Sequence, residues 1–292
     1  MRKHKYNYDV YNCVFLHLKL EMSRVILNKV LSCGFSNKSA TNLLLVGCGN
    51  IGSALCNVWK KYYTVTIVDP RLSDPIHNFY AAPGCLPHKY KPQIIILAVK
   101  PQILPDVVKQ YKQYSNVIWI SLAAGIQTAK LHELTRSTNC VRVMPNMATK
   151  YAAGITAIYV PPLSLSKTAA TAKCIFDKVG QTLLVDKEDD FATITALSGS
   201  GPAFFYDMAQ AMVDNGIKLG LSPSVATQLA RQTLFGAGVM VNQSDRPLTA
   251  LRNEVTSKGG TTEAGLRVFS PEIKDLVLRT MSAAHKRCQE LS

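Results

Sequence analysis

The feature that most constrains the fold is a glycine-rich turn placed between an apolar run and a helical segment. The run 43–46 is typical of a buried strand, the turn 47–52 has the pattern GxGxxG, and residues 53–59 have helical spacing. A GxGxxG in this context predicts a strand–turn–helix unit that binds a dinucleotide pyrophosphate. The predicted cofactor contacts in this turn are Gly47, Gly49, Asn50, Ile51 and Gly52.

Each glycine of the turn has a separate predicted role. Gly47 makes the tight turn, Gly49 lets the backbone approach the pyrophosphate, and Gly52 permits close packing of helix on strand. A second apolar run, 65–68, ends in Asp69, which is the ribose-binding position of a dinucleotide fold. Its carboxylate favours NADH, whereas Arg71 favours the 2′-phosphate of NADPH, so the choice stays open with a preference for NADH.

Further apolar runs, each ending in a loop, follow this unit. They cover 94–99, 117–121 and 140–143, with shorter runs at 156–160 and 182–185 around a helix at 164–179. Apolar runs that alternate with helices predict a parallel sheet covered on both faces, with the ligand beyond the carboxyl ends of its strands. The predicted cofactor contacts at those ends are Ala98, Val99, Lys100, Pro101, Ala124, Gly125 and Asn146.

The character of the chain changes near Glu188. Residues 191–217, 222–243 and 271–290 have helical periods and few strand formers, and Leu197–Phe204 interrupts the first of them. The apolar content of these helices is generous for about 100 residues, which favours burial against a second subunit. We therefore predict an N-terminal Rossmann-type doubly wound sheet at 41–187 and an all-helical dimerisation domain at 188–292.

A second glycine-rich stretch, 255–266, lies within the helical half. Gly259-Gly260 permits backbone angles closed to other residues, and the residues after it predict the first turn of a helix. Two interpretations stay open from these residues alone. One is an ordinary helix start capped by Thr261 or Thr262. The other is a carboxylate or phosphate site at the helix N-terminus, where Ser257 adds a hydroxyl.

The basic net charge of +14 does not by itself predict a nucleic-acid-binding protein. Residues 1–40 contribute +5 of it, and the remaining basic residues are scattered, so an anionic cofactor or substrate is a sufficient partner. No apolar run reaches the roughly 20 residues of a membrane span. The eight cysteines form no CxxC pair and no metal-ligand spacing. We expect reduced thiols, no bound metal and a cytoplasmic location.

Residues 1–40 have few acids and no clear period. A transit-type leader, a loosely packed extension and an upstream start with Met22 as the true initiator all stay open.

Several motifs of the chain occur together in one known family. They are Leu197-Ser-Gly-Ser-Gly-Pro-Ala-Phe204, the run from Pro247 through Val255-Thr-Ser to Gly259-Gly-Thr-Thr262 and Gly265-Leu266, and the loops Ala98–Pro101 and Met144–Asn146. On these motifs the chain, over about 42–290, resembles pyrroline-5-carboxylate reductase, the last enzyme of proline synthesis. Lys258, Asp245 and Ser270 depart from the family pattern, where Pro, Glu and an acid, amide or Lys are usual.

The resemblance implies hydride transfer from NADPH or NADH to the C=N bond of 1-pyrroline-5-carboxylate, giving L-proline. It implies an active site assembled across a homodimer, often within a larger homo-oligomer. It places Thr262 at the ring nitrogen as the catalytic residue, and Pro202 beside the cofactor. The implied substrate-binding residues are Ser257, Gly259, Gly260, Thr261, Thr262 and Asp245.

Two other functions are compatible with parts of the sequence. One is a 3-hydroxy-acid dehydrogenase of the same build, for which Lys187 is the nearest lysine to the expected general base. The other is a cofactor-sensing or nucleic-acid-binding protein that kept the fold, supported only by the positive charge.

Overall fold

The computed structural model describes residues 41–71, 78–114 and 116–291. The predictions for 1–40 fall outside these residues. The described chain begins with an eight-stranded sheet in the order β3-β2-β1-β4-β5-β6-β7-β8. The strands are β1 Asn42–Val46, β2 Thr64–Val68, β3 Phe79–Tyr80, β4 Ile94–Leu97, β5 Ile118–Ser121, β6 Cys140–Pro145, β7 Gly154–Tyr159 and β8 Gly180–Leu184.

The predicted parallel sheet is correct for β1 to β6 and wrong for the last two strands. β7 runs antiparallel to β6, with Met144 opposite Ala157, and β8 then pairs parallel with β7. Only residues 146–153 join β6 to β7. A parallel crossover needs about a dozen residues or more, so this short connection can return only as an antiparallel strand.

The core lies on both faces of the sheet because successive strand residues point to opposite sides. Leu43 and Leu45 belong to one buried cluster, with Trp59 and Phe176, whereas Leu44 and Val46 belong to the other. This alternation confirms that the sheet is covered on both faces. The order 3-2-1-4-5-6 places the reversal of strand order between β1 and β4, where a dinucleotide fold opens its crevice.

Helices of the first half cover the sheet, and those of the second half follow it in the chain. They are α1 Asn50–Trp59, α2 Leu104–Lys109, α3 Thr128–Thr135, α4 Ser166–Phe176, α5 Phe191–Ile194, α6 Gly201–Lys218, α7 Pro223–Asn242, α8 Leu248–Glu254 and α9 Thr261–Glu290. Among the described residues, no helix is both long enough and apolar enough to cross a membrane.

The stretch Leu197–Phe204 is not the break between helices that the sequence indicated. α5 continues through a π-helical turn, Thr195–Gly199, into α6, and Ser200 N donates to Thr195 O at 2.8 Å. The extra residue of a π-turn changes which side chains face the neighbouring element without ending the helix. Small residues therefore mark a widened turn here rather than a loop.

The helical half leaves much apolar surface uncovered in the single chain. Its described core is a small cluster of Val213, Ala226 and Ala230. Exposed apolar side chains lie along α6, α7 and α9, among them Phe205, Tyr206, Phe235, Val268 and Leu278. Exposed apolar surface of this extent marks an association surface.

Candidate active site

The turn after β1 has the backbone geometry that its glycines predicted. Gly47 has a φ of +89°, and its N–H donates to Val68 O at 2.9 Å. A Cβ on Gly47 would lie 2.7 Å from Ala98 O, so the end of β4 packs directly on the turn. A Cβ on Gly52 would lie 2.5 Å from Gly47 O and 3.5 Å from the Ala98 Cβ, so α1 packs closely on the turn and on the end of β4. A Cβ on Gly49 would lie 3.7 Å from Arg71 Nη2. Asn50 and Ile51 are the first two residues of α1.

Asp69 is buried and both of its oxygens are occupied. Oδ2 accepts from Cys48 N at 2.7 Å and from Arg71 Nη2 at 2.9 Å. Oδ1 accepts from Arg71 N at 3.0 Å and from Arg71 Nε at 3.1 Å. The Arg71 side chain, above all, together with the two backbone N–H groups, lowers the pKa of Asp69 from 3.8 to about 2, against the opposing effect of burial.

The cysteine inside the turn is held as a thiol. Burial and the nearby charge of Asp69 raise the pKa of Cys48, and Arg71 opposes them. Cys48, Cys56, Cys85 and Cys140 carry free thiols in the structure. The turn therefore presents backbone N–H groups to an anion and adds no thiolate charge of its own.

The strand ends beyond β4, β5 and β6 carry the other predicted cofactor contacts. Val99 and Lys100 lead into a 3-10 turn at Pro101–Ile103, and the Lys100 side chain is exposed. Gly125 has a φ of +81° in the loop after β5, next to Ala124. Asn146 accepts through Oδ1 from Ile155 N at 3.3 Å.

The π-helical turn brings the second half of the chain to the same edge of the sheet. A Cβ on Gly199 would lie 3.8 Å from the Met144 sulfur at the end of β6. Pro202 follows within the first turn of α6. Ala124, Met144 and Phe191 share one apolar cluster. The helical half thus contacts two of the predicted cofactor loops through this cluster.

The Gly-Gly-Thr-Thr stretch forms a tight turn followed by a helix start. Gly260 N donates to Ser257 O at 3.0 Å, and Gly259 has a φ of +73°, which together define a type II turn with Lys258 at its second position. Gly260 is the N-cap of α9, so the prediction of Thr261 or Thr262 as the cap is wrong. A glycine cap has no side chain to accept the first N–H groups, and Thr261 and Thr262, which follow it, are exposed.

Glu263 stabilises this turn from within the helix. Its Oε2 accepts from Gly259 N at 2.8 Å and from Arg267 Nη2 at 3.3 Å. One oxygen of this carboxylate is therefore engaged by the turn and by Arg267. A cavity of about 280 Å³ lies beside it, lined by Arg252, Asn253, Thr256, Glu263, Leu266, Arg267 and Ser270.

The structure does not bring all predicted site residues together within one chain. Asp245 is exposed in the connection between α7 and α8, where the neighbouring Arg246 pairs with Glu254. Among the described residues, no recorded hydrogen bond or ion pair joins 257–262 to the strand ends at 98–101 or 124–146. Within the described part of one subunit, the turn at 257–262 is thus not bonded to the strand ends that carry the predicted cofactor contacts.

One polar cluster at the junction of the two halves was not predicted. Glu188 accepts from Thr128 N and Thr128 Oγ1, both at 2.7 Å, and from Arg142 Nη1 at 3.2 Å. A buried arginine in a strand was the available signal, because such a residue requires a partner. Lys187, the residue of the alternative dehydrogenase function, is exposed next to this cluster. Within the described ranges, no group of three or more His, Cys, Asp or Glu side chains is placed to hold a metal ion.

Comparison with known proteins relates both halves of the chain to one family. Residues 188–291 match the family model described as pyrroline-5-carboxylate reductase dimerisation. The pyrroline-5-carboxylate reductase of Haemophilus influenzae is 35% identical over 206 residues, covering 69% of this chain and 76% of the relative. That of Arabidopsis thaliana is 34% identical over 202 residues, covering 68% of this chain and 73% of the relative.

Solved structures are similar over a larger part of the chain. The Plasmodium falciparum pyrroline carboxylate reductase with NADP bound superposes with a TM-score of 0.74 at 30% identity, covering 85% of this chain and 99% of that one. The pyrroline-5-carboxylate reductase of Coxiella burnetii superposes with a TM-score of 0.77 at 28% identity, covering 87% and 99%.

Proposed function

The chain belongs to the pyrroline-5-carboxylate reductase family, and we propose that its residues use NADPH to reduce the C=N bond of 1-pyrroline-5-carboxylate to L-proline. It is an NAD(P)H-dependent oxidoreductase and a homo-oligomer. The single observation that carries the residue-level proposal is the backbone cradle at 47–52, which a Cβ on Gly47 or Gly52 would fill. When bound, the nicotinamide supplies the hydride.

The glycine cradle fits a dinucleotide pyrophosphate. Gly49 opens α1 as its N-cap with no side-chain bond, so the first N–H groups of a ten-residue helix face the turn. Such N–H groups and the positive end of the helix bind phosphate oxygens. Lys100 adds a cation near the same edge. The loops at 98–101, 124–125 and 144–146 then hold the nicotinamide half of the cofactor.

The contacts of Asp69 support NADPH over the NADH that the sequence favoured. A carboxylate selects NADH by accepting bonds from the ribose hydroxyls. Here both Asp69 oxygens already accept from Arg71 and from Cys48 N. The Arg71 side chain is 70% exposed, so its outer face is open to a 2′-phosphate. Asp69 then orients the arginine that selects the phosphate, rather than binding the ribose itself.

The turn at 257–262 supports a carboxylate-binding role. The N–H groups of Thr261 and its neighbours at the start of α9 have no side-chain cap, and the Ser257 side chain packs against Gly260. A substrate carboxylate would satisfy these donors with charge-assisted hydrogen bonds. Thr262, one residue further, then offers its hydroxyl to the ring nitrogen. The amine product is basic, so an imine that arrives protonated needs no strong acid from the protein.

We infer that a second copy of the chain brings the strand ends and the turn at 257–262 together. The apolar side chains on α6, α7 and α9 are left uncovered by the single chain, and the matched family model is one of dimerisation. We infer a dimer in which the strand ends of one subunit meet the turn at 257–262 of the other. Residues 41–187 and 188–292 then act as separate domains, one for the cofactor and one for dimerisation and substrate.

Steady-state turnover with the cyclic imine and each of NADH and NADPH tests the proposal. We expect oxidation of both cofactors, with a higher kcat/KM for NADPH. No oxidation of either cofactor in the presence of the imine would refute the proposed function. Higher kcat/KM for NADH would leave the reaction standing and refute the role proposed for Arg71.

A further inference from the structure

Glu188 joins three elements that are far apart in the chain. It is the first residue of a 3-10 turn, Glu188–Asp190, that leads into the helical half. Its carboxylate accepts from the N-terminus of α3 through Thr128 N and from the Thr128 hydroxyl, both at 2.7 Å. It also forms an ion pair with Arg142 of β6 at 3.2 Å, with side-chain exposures of 5% for Arg142 and 14% for Glu188.

The α3 end of this cluster depends on Glu188 for its cap. Gln127 is the N-cap of α3 and makes no side-chain cap bond. Unpaired N–H groups at a helix start need an acceptor, and a carboxylate is a favourable one. Glu188 supplies that acceptor from 60 positions away in sequence. The loop carrying Ala124 and Gly125 ends at Thr128, so this bond restrains the loop as well.

At its β6 end, the cluster contacts the strand that leads into the loop at 144–146. Arg142 and Met144 lie on the same face of β6, two residues apart. The Arg142 guanidinium lies 4.6 Å from the Phe191 ring centroid, and Met144 shares an apolar cluster with Phe191. Asn146 follows two residues later. A shift of Glu188 would therefore move the ends of β5 and β6 relative to the helical half.

The adenosine end of the cofactor site is independent of this cluster. Asp69, Arg71 and the turn at 47–52 are bonded to one another, and no recorded hydrogen bond or ion pair among the described residues joins them to Glu188, Thr128 or Arg142. The two ends of a bound cofactor would thus be held by separate sets of contacts.

We propose that Glu188 is a positioning residue for the nicotinamide end of the cofactor: by holding Thr128 and Arg142 it sets the loops at 122–127 and 144–146 against the helical half. It acts through these two residues, to which its carboxylate is bonded. The inference rests on the proposed function, because it concerns the geometry of that hydride transfer. Misplacement of reacting groups by about 1 Å can lower a rate about a hundredfold.

The test compares Glu188→Ala and Glu188→Gln with the neighbouring Asp189→Asn. The Asp189 side chain is exposed on the same 3-10 turn and makes no recorded bond, so it controls for loss of one charge. Calorimetry would measure the Kd of NADPH and of 2′-phospho-ADP-ribose, which lacks the nicotinamide. Turnover with protiated and 4-deuterated NADPH would give kcat and its isotope effect.

We expect 2′-phospho-ADP-ribose, the fragment that lacks the nicotinamide, to bind the Glu188 variants with a Kd within about twofold of wild type. The residues proposed to contact this fragment are not bonded to Glu188. NADPH should bind several times more weakly, kcat should fall about tenfold to a hundredfold, and the isotope effect should rise. Asp189→Asn should match wild type. Glu188 variants that match Asp189→Asn, or that lose fragment and NADPH affinity equally, would overturn the inference.

Thr128 provides a second arm if the Glu188 variants do not fold. Thr128→Val keeps the side-chain shape and removes the hydroxyl that donates to Glu188, whereas Thr128→Ser restores the donor. We expect lower kcat with unchanged fragment affinity for the valine variant and recovery for the serine variant. Equal kcat for both would contradict the inference. Inactive wild-type protein would instead contradict the proposed function, so the two failures are distinguishable.

Discussion

The guanidinium of Arg71 lies against the carboxylate of Asp69, with Nε 3.1 Å from Oδ1 and Nη2 2.9 Å from Oδ2. The pair is asymmetric, because Asp69 is buried whereas Arg71 is 70% exposed. The sequence pattern assigns Asp69 to the ribose, whereas in the structure its carboxylate holds the guanidinium of Arg71, which faces solvent. This arrangement leads directly to a prediction on cofactor choice.

Arg71→Ala should reverse the cofactor preference. Loss of a charge-assisted partner for the 2′-phosphate should raise the KM for NADPH about tenfold or more. The KM for NADH should stay constant or fall, because Asp69 is then free to accept from the ribose. Lys61→Ala, which removes an exposed cation after α1, is the matched control. Equal effects of Arg71→Ala on both cofactors would contradict the prediction.

Asp69 should contribute to the free energy of unfolding in a way that depends on pH. The pKa of its carboxyl is lowered from 3.8 to about 2 in the folded chain, chiefly by the Arg71 side chain. The unfolded chain therefore takes up this proton at a higher pH than the folded chain does. The contribution is fully present above about pH 4 and is lost as the pH falls towards 2. The free energy of unfolding of Asp69→Asn should show a shallower pH dependence than wild type across that interval, by chemical denaturation.

Gly49→Ala and Gly52→Ala should separate cofactor binding from folding. A Cβ on Gly52 would lie 2.5 Å from Gly47 O, whereas a Cβ on Gly49 meets only Arg71 Nη2 at 3.7 Å. Gly52→Ala should therefore lower the free energy of unfolding by about 1–3 kcal/mol and weaken NADPH binding. Gly49→Ala should weaken NADPH binding with an unchanged Tm. Gly84→Ala, with open space around the added Cβ, is the control for both measurements.

Thr262→Ala should lower kcat/KM for the imine about tenfold to a hundredfold, as expected for a hydroxyl that bonds a charged nitrogen. The Kd of NADPH should not change. Thr280→Ala on the same helix, where the hydroxyl donates to Leu276 O, is the control. A rate for Thr262→Ala equal to that of the Thr280 control would remove Thr262 from the active site.

Lys258→Pro should stabilise the substrate turn. Lys258 occupies the second position of the type II turn closed by Gly260 N and Ser257 O, where the φ of proline is already suitable. Its own N–H makes no recorded bond, so none is lost. The substitution should raise the free energy of unfolding by about 0.4–1 kcal/mol through the lower entropy of the unfolded chain. It should also lower the KM for the imine, and a lower Tm would contradict the turn assignment.

Much of the first half was predictable because its signals are local. The turn at 47–52, the strands around it and the cover on both faces follow from spacing and hydropathy within about 30 residues. The short strand β3 was missed because Phe79–Tyr80 has too few residues to show a period. The reversal of β7 was missed although the short connection at 146–153 was a usable signal.

The site was predictable only as two sets of residues. Motifs and the family resemblance placed the cofactor loops and the turn at 257–262 in their elements. They could not show that Gly260, not a threonine, caps α9, because capping depends on where the helix begins. Nor could they show that the Arg71 side chain donates to both Asp69 oxygens, because the sequence does not determine which of its many rotamers an arginine adopts.

The sequence alone determined the class of fold, the dinucleotide turn and the family, because each is encoded in short spacings of glycine, apolar and hydroxyl residues. Only the tertiary structure decided which acceptors those groups use. Glu188 caps α3 from 60 residues away, and the Gly47 N–H donates to Val68 O at the end of β2. In both contacts, a backbone N–H group finds its acceptor in an element that is distant in the sequence. Such pairings depend on how the whole sheet and helices pack, and no local pattern contains them.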